Sequence, residues 1–291
     1  MTSHPHTSYP RRTGALLERP GEHDALVGGP NRDASEDLRI GAVPVPTEAL
    51  GLVASLPPFK DQDTTSTCFP TAIVTAAETR LRALGVPVEA SSVPQLYCAA
   101  NQLVEPPDAP LKDIGSYGRI VMQVAREWGV ARDKDYPLRD ERTGEIIPGI
   151  VTRRVPGDVL QNASSWKLEE QLTIYATGAD RLQTVETALH LLLEPVPTAG
   201  VVDAAFMAYD GRGVLTAPDL ARARGRHAVC IVGFRTNPRT NHREYLIRNS
   251  WRGWGLVLQD QVSLGWVDEN WVHAQEEMYR MRVSRGRRGS P

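Results

Sequence analysis

Cysteine is scarce in this chain: its 291 residues hold three, at positions 68, 98 and 230. An odd count argues against a disulfide framework, and no two of the three have the short spacing of zinc ligands. Each thiol therefore needs its own explanation. An excess of one charge is also missing. Lys and Arg total 33 against 35 Asp and Glu, a net charge of −2, which points to neither nucleic acid nor an anionic membrane as a partner. No apolar run approaches the roughly 20 residues of a membrane-spanning helix. The N-terminus holds His, Pro and Arg where a secretory signal would be apolar, so a cytoplasmic protein is expected unless a dedicated machine exports it. No internal repeat is present, and no motif asks for a metal or a cofactor.

What is present has a clear order. Residues 1–35 are rich in Pro, Gly, His, Ser and Arg without helical or strand periodicity, and read as a disordered arm. Order is expected from near Asp37-Leu38-Arg39. Residues 286–291 read as a flexible, solvated tail. The clearest helix spans 66–85, with Phe69, Ala72, Ile73, Ala76, Ala77, Leu81 and Leu84 on one face. Ser66 or Thr67 is placed to cap it, Pro70 falls in its first turn, and Gly85 and Pro87 stop it. Two more helices are expected near 91–103 and 116–128. Strands are expected at 172–176, 198–202, 228–235, 244–248 and 279–283, with one helix at 180–194. Segments 105–112 and 139–166 read as loops. A helical half, about 60–138, followed by a strand-rich half, about 165–285, predicts an α+β protein with two lobes and a cleft between them.

Cys68 stands at the start of the long helix, where unpaired N–H groups stabilise negative charge. A thiolate there gains that field, its pKa falls, and the thiolate is the nucleophilic form. On position alone, a small buried hydrophobe is the commoner reading of a cysteine. The company it keeps changes that. Gln62 precedes it by six residues, with small residues between, and the aromatic Phe69 follows. A second stretch runs His227-Ala228-Val229 to Val232-Gly233-Phe234. A third runs Tyr245-Leu246-Ile247-Arg248-Asn249-Ser250-Trp251, followed by Gly253-Trp254-Gly255.

Taken together and in this order, the three stretches resemble the active-site segments of the papain-like cysteine peptidases. The resemblance covers roughly 37–285. It implies a papain-like two-lobed fold, with a helical left lobe, a barrel-like right lobe and the site between them. It implies Cys68 as nucleophile, His227 as its base, and Asn249 as the group that orients the imidazole, a known variant of triad chemistry. It further implies Gln62 as oxyanion donor beside the Cys68 amide, and Trp251 as a cover over the His–Asn bond. Ile114-Gly115-Ser116 would line the cleft, where the family pairs a glycine backbone with extended substrate, or form an ordinary loop. Arg226 puts a positive charge beside the histidine, either facing acidic substrates or pointing into solvent. Cys98 and Cys230 read as core, the latter because its odd offset from His227 puts it on the other face of the strand.

The chain also departs from the family pattern. Ser66-Thr67-Cys68-Phe69 replaces Gly-Ser-Cys-Trp, and Thr65 stands where the family has a disulfide cysteine. The steps from 68 to 227 and to 249 exceed the roughly 130–150 residues usual in the family, which implies insertions at 139–166 or 210–226. Only about 50 residues precede the core, too few for the family's long inhibitory prosegment. Hydrolysis of a protein or peptide substrate is the leading expectation. A deamidase or transglutaminase-like effector acting on Gln side chains uses the same triad, with the arm as a loading or export signal for a partner. A catalytically silent binding module is the third reading.

Overall fold

The helix that begins at the cysteine is the centre of the molecule. In the computed structural model, which describes residues 13–16, 26–27, 44–163 and 165–285, helix α1 spans Cys68–Ala83 and buries every residue from Cys68 to Thr79. A helix apolar on one face would sit at the surface; this one is enclosed on all sides. Two of its threonines are satisfied within the helix. Thr71 and Thr79 donate their hydroxyls to the carbonyls of Thr67 and Thr75 at 2.8 and 2.6 Å. Buried Glu78 accepts from the Ser91 amide at 2.6 Å and faces Lys60 at 3.4 Å. Thr67 precedes the helix but makes no side-chain cap. Gly85, at φ +69°, ends it: its N–H bonds the Arg82 carbonyl, and the Val86 N–H bonds Leu81 at 2.8 Å, the paired bonds of a glycine-terminated helix.

Helix α2 is Val93–Val104, started by the Ser92 hydroxyl accepting from the Gln95 amide at 3.1 Å. Helix α3 is Gly118–Glu127. Its first residue must be small, because a Cβ on Gly118 would lie 2.2 Å from the Phe69 ring. A short α4, Gly157–Gln161, lies inside the segment read as a loop at 139–166. Helix α5, Gly178–His190, flanks the strand-rich half, and α6, Ala204–Met207, and α7, Glu269–His273, are short.

The strands are β1 Ala15–Leu16, β2 Leu26–Val27, β3 Glu48–Ala49, β4 Ser116–Tyr117, β5 Trp166–Ile174, β6 Val196–Asp203, β7 Ala223–Thr236, β8 Arg243–Arg248, β9 Leu256–Leu258, β10 Gln261–Asp268 and β11 Glu277–Arg285. The large sheet runs β2-β5-β11-β6-β7-β8-β10-β9, with β3 added to β7. The half expected to be barrel-like is thus hydrogen-bonded as a ladder with ends at β2 and β9. Two apolar cores lie on its two faces. Along β7, Ala228, Cys230 and Val232 join the core of α1 to α3, while Val229 and Ile231 join the other, as strand alternation requires. A bulge between Ile231 and Gly233 then turns Phe234 to the second core.

Three further expectations change. Strand β5 starts at Trp166, well before 172, because buried Trp166 and Leu168 alternate with exposed Lys167 and Glu169. Strand β10 was not expected: Ser263 takes φ +60° inside it, and its pairing with β9 shifts register between Gln261 and Leu264. Within residues 1–35, which read as disordered, Ala15–Leu16 and Leu26–Val27 are strands of the fold. The remainder of that arm, the start of order near Asp37, and the tail 286–291 lie outside the described residues.

Candidate active site

Cys68 is the first residue of α1 and is fully enclosed. Backbone N–H groups of Ala228, Gly14, Phe69 and Cys68 itself converge on its sulfur and favour the thiolate. Burial outweighs them and pushes the thiol up to about 11. The lowered pKa expected from the helix start is therefore not that of this state, because loss of water costs a thiolate more than the four donors return. Cys68 shares a core with Ala228 of β7, and His227 is the residue before Ala228.

His227 is buried on β7. Its Nε2 lies 2.8 Å from Asn249 Oδ1 at the end of β8. A carboxamide oxygen only accepts, so Nε2 carries a proton and donates, and Nδ1 is the nitrogen left to exchange one. Asn249 is held in turn: its Oδ1 accepts from the Ser250 amide at 2.7 Å, and its own amide donates to the Ser263 carbonyl at 2.9 Å. Trp251 stacks on the imidazole, with ring centroids 4.0 Å apart and 26° between planes. Phe206 meets both rings edge-on, at 5.9 Å and 5.8 Å. The His–Asn bond is thus roofed by aromatic carbon, which keeps water from competing for it.

Gln62 is buried rather than exposed in a loop. Its Oε1 accepts from the Ser250 hydroxyl at 2.5 Å, its Nε2 donates to the Thr65 carbonyl at 2.6 Å, and its amide donates to the Ser250 carbonyl at 3.0 Å. Ser250 therefore couples the loop before the nucleophile to the Asn249 corner. On the other side, Asp113 Oδ1 accepts from both the Ser66 amide and the Tyr97 hydroxyl at 2.9 Å, and that hydroxyl accepts from the Gly115 amide at 3.0 Å. This network sits one residue from Thr65 and binds the wall segment 113–115 to the nucleophile loop without a disulfide; all three cysteines are free thiols.

The proposed cleft residues separate. Gly115 and Ser116 face the segment Thr13 to Leu16, and the Ser116 amide donates to the Gly14 carbonyl at 2.9 Å. Ile114 is 58% exposed and turns outward. Arg226 is neither a free charge nor solvated alone: its guanidinium forks onto Glu276 at 2.7 and 3.2 Å. Cys98 and Cys230 are buried in the core around α1. Among the described residues no group of three or more His, Cys, Asp or Glu could hold a metal ion. Ser250, Ser263, Phe206, Asp113 and Tyr97 escaped the sequence reading as site residues. Ser250 alone had a signal, its place inside the Asn-Ser-Trp stretch; the others reach the site through pairing and packing.

Comparison with known proteins bears on the family and the fold. A family model described as papain family cysteine protease matches residues 52–256. No curated protein matches the chain in sequence. Among solved structures, xylellain, a cysteine protease from Xylella fastidiosa, is 20% identical with a TM-score of 0.68, over 96% of this chain and 100% of that one. Procathepsin B S9 from Trypanosoma congolense is 16% identical with a TM-score of 0.69, over 94% and 87%. Digestive procathepsin L2 from Tenebrio molitor is 18% identical with a TM-score of 0.63, over 89% and 74%. At these identities the likeness is one of fold.

Proposed function

This chain belongs to the papain family of cysteine proteases, and from that premise we propose that it is an endopeptidase working through Cys68, His227 and Asn249 and an acyl-enzyme. The observation that carries the assignment is the 2.8 Å His227–Asn249 bond under stacked Trp251, on the strand whose next residue, Ala228, shares a core with Cys68.

In this reading His227 Nδ1 takes the Cys68 proton as the sulfur attacks a peptide carbonyl. The carbon–sulfur bond forms and the carbonyl electrons move to oxygen. That oxyanion is met by the Cys68 amide and by the Gln62 carboxamide, which Ser250 and Thr65 hold in place. His227 then gives its proton to the leaving amine as the carbon–nitrogen bond breaks, leaving a thioester. Water, deprotonated by the same nitrogen, releases the acid and restores the thiol. Asn249 keeps the ring in the tautomer that allows each step. The substrate is a protein or peptide that enters the cleft as an extended strand beside Gly115 and Ser116.

Cys68→Ala tests the assignment. The variant is expected to lose all cleavage of a peptide library while melting at the temperature of the parent. Unchanged cleavage would remove Cys68 from the mechanism, and modified Gln side chains without new peptide termini would replace hydrolysis by deamidation.

A further inference from the structure

We propose that Arg139 is a positioning residue for the reaction: it grips the acidic residues on both sides of Gln62 and so fixes the turn from which that carboxamide reaches the oxyanion. The inference rests on the peptidase reading and names a part of the site that lies outside its motifs.

Gln62 opens a tight turn. Its carbonyl accepts from the Thr65 amide at 3.0 Å and from the Thr65 hydroxyl at 2.6 Å. Asp63, the next residue, stands at φ +51°, a left-handed conformation that costs a non-glycine residue free energy and persists where its surroundings hold it. Asp61 Oδ1 accepts from the Asp63 amide at 3.1 Å. The Gln62 side chain folds back over the same turn to the Thr65 carbonyl at 2.6 Å. The place of the carboxamide therefore depends on the backbone of residues 61–65.

That backbone is held from outside by charge. Arg139 Nη2 lies 3.1 Å from Asp63 Oδ2 and 3.7 Å from Asp61 Oδ2. Arg252, three residues after Asn249, donates from Nε to Asp61 Oδ2 at 2.9 Å. Arg139 itself comes from a closed hairpin. It bridges Ile146, the Ile147 amide donates to the Leu138 carbonyl at 3.0 Å, and the Asp140 amide donates to the Glu145 carbonyl at 2.9 Å. Arg139 Nη1 donates to the Gly144 carbonyl at 3.0 Å. One nitrogen of the planar guanidinium is thus fixed to the hairpin and the other to the turn, which carries the place of the first to the second. The Arg139 and Asp63 side chains are 29% and 34% exposed, so the pair adds little to stability. What it sets is the conformation of one turn. The hairpin lies in one of the two stretches where an insertion is expected, and this contact gives it a task.

Arg139→Ala, Arg139→Lys, Asp63→Gly and the double variant of Arg139→Ala with Asp63→Gly, each in the full chain, test this. Asp63→Gly removes the carboxylate, while glycine takes the left-handed backbone freely. The readouts are kcat and KM for one peptide, and the affinity of a dipeptide nitrile, measured by protection of Cys68 from iodoacetamide. The thiol adds reversibly to the nitrile carbon: a carbon–sulfur bond forms, one carbon–nitrogen π bond opens, and the thiol proton goes to nitrogen. That nitrogen stands in for the oxyanion without turnover. Arg139→Ala and Asp63→Gly should each lower kcat about three- to thirtyfold, a part of the about 10²–10³-fold that a whole oxyanion donor supplies. KM should stay within about twofold, and nitrile affinity should fall by the same factor as kcat. The double variant should lose no more than the weaker single one, and Arg139→Lys should recover part of the loss. Alkylation of Cys68 without nitrile should not change, since that reaction forms no oxyanion. Unchanged kcat and nitrile affinity in both single variants would overturn the assignment. So would multiplied losses in the double variant, or losses that come with faster Cys68 alkylation, which reports general loosening. A parent that binds the nitrile but cuts no peptide would refute the peptidase reading, and the nitrile affinities of the variants would still decide the role of Arg139.

Discussion

The imidazole of His227 is held by its hydrogen bond to Asn249 and by stacked Trp251, and the two contribute differently. Asn249→Ala removes the bond that sets the tautomer, so it should lose a large part of the about 10²–10⁴-fold that a positioned acid–base group supplies. Trp251→Phe keeps an aromatic roof and should lose far less; kcat/KM for one peptide measures both. Cys68 makes a prediction with a sign. Burial carries its thiol from an ordinary 9.0 to about 11, so its alkylation rate should climb with pH toward 11. Between pH 9 and 11 the folded chain keeps a proton that the unfolded chain has lost. Stability from this group is therefore complete below about pH 9 and falls as pH rises to about 11, by about 1.4 kcal/mol per pH unit, as urea unfolding at two pH values would show. Cys68, His227, Asn249 and Gln62 were legible as a candidate set because the roles proposed for them demand residue types within short stretches of chain. Ser263 and Phe206 were not, because they reach Asn249 and His227 only once β6, β7, β8 and β10 have assembled.

At the scale of elements, caps and stops were readable and sheet irregularities were not. Ser92 and Gly85 announce the start of α2 and the end of α1 through local hydrogen bonds. The bulge in β7 and the left-handed Ser263 in β10 are imposed by partner strands, which no local pattern encodes. The nucleophile helix is anchored at its far end by charge. Buried Glu194 takes Arg80 of α1 and Arg280 of β11, each at 2.9 Å, and Arg80 also reaches the Met281 carbonyl at 2.6 Å. Glu194→Ala leaves two guanidinium groups buried without their carboxylate. It should cost about 3–5 kcal/mol, seen as a lower urea midpoint, whereas Arg282→Ala, paired to Glu170 at the surface at 3.4 Å, should cost under about 1 kcal/mol.

For the molecule as a whole, two lobes and an intervening cleft follow from a helical half and a strand-rich half, and that division was visible in the order of elements. The contents of the cleft were not. The arm lacks periodicity and reads as disordered because Thr13 to Leu16 find their hydrogen bonds and close contacts a hundred residues and more away, at Ser116 and Gly225. The central claim, hydrolysis of peptide bonds by Cys68, is tested most directly by mass spectrometry of new peptide termini in a proteome treated with the full chain or with its Cys68→Ala variant. New termini are predicted with the parent and none with the variant; the same termini with both, or modified Gln without termini, would contradict it.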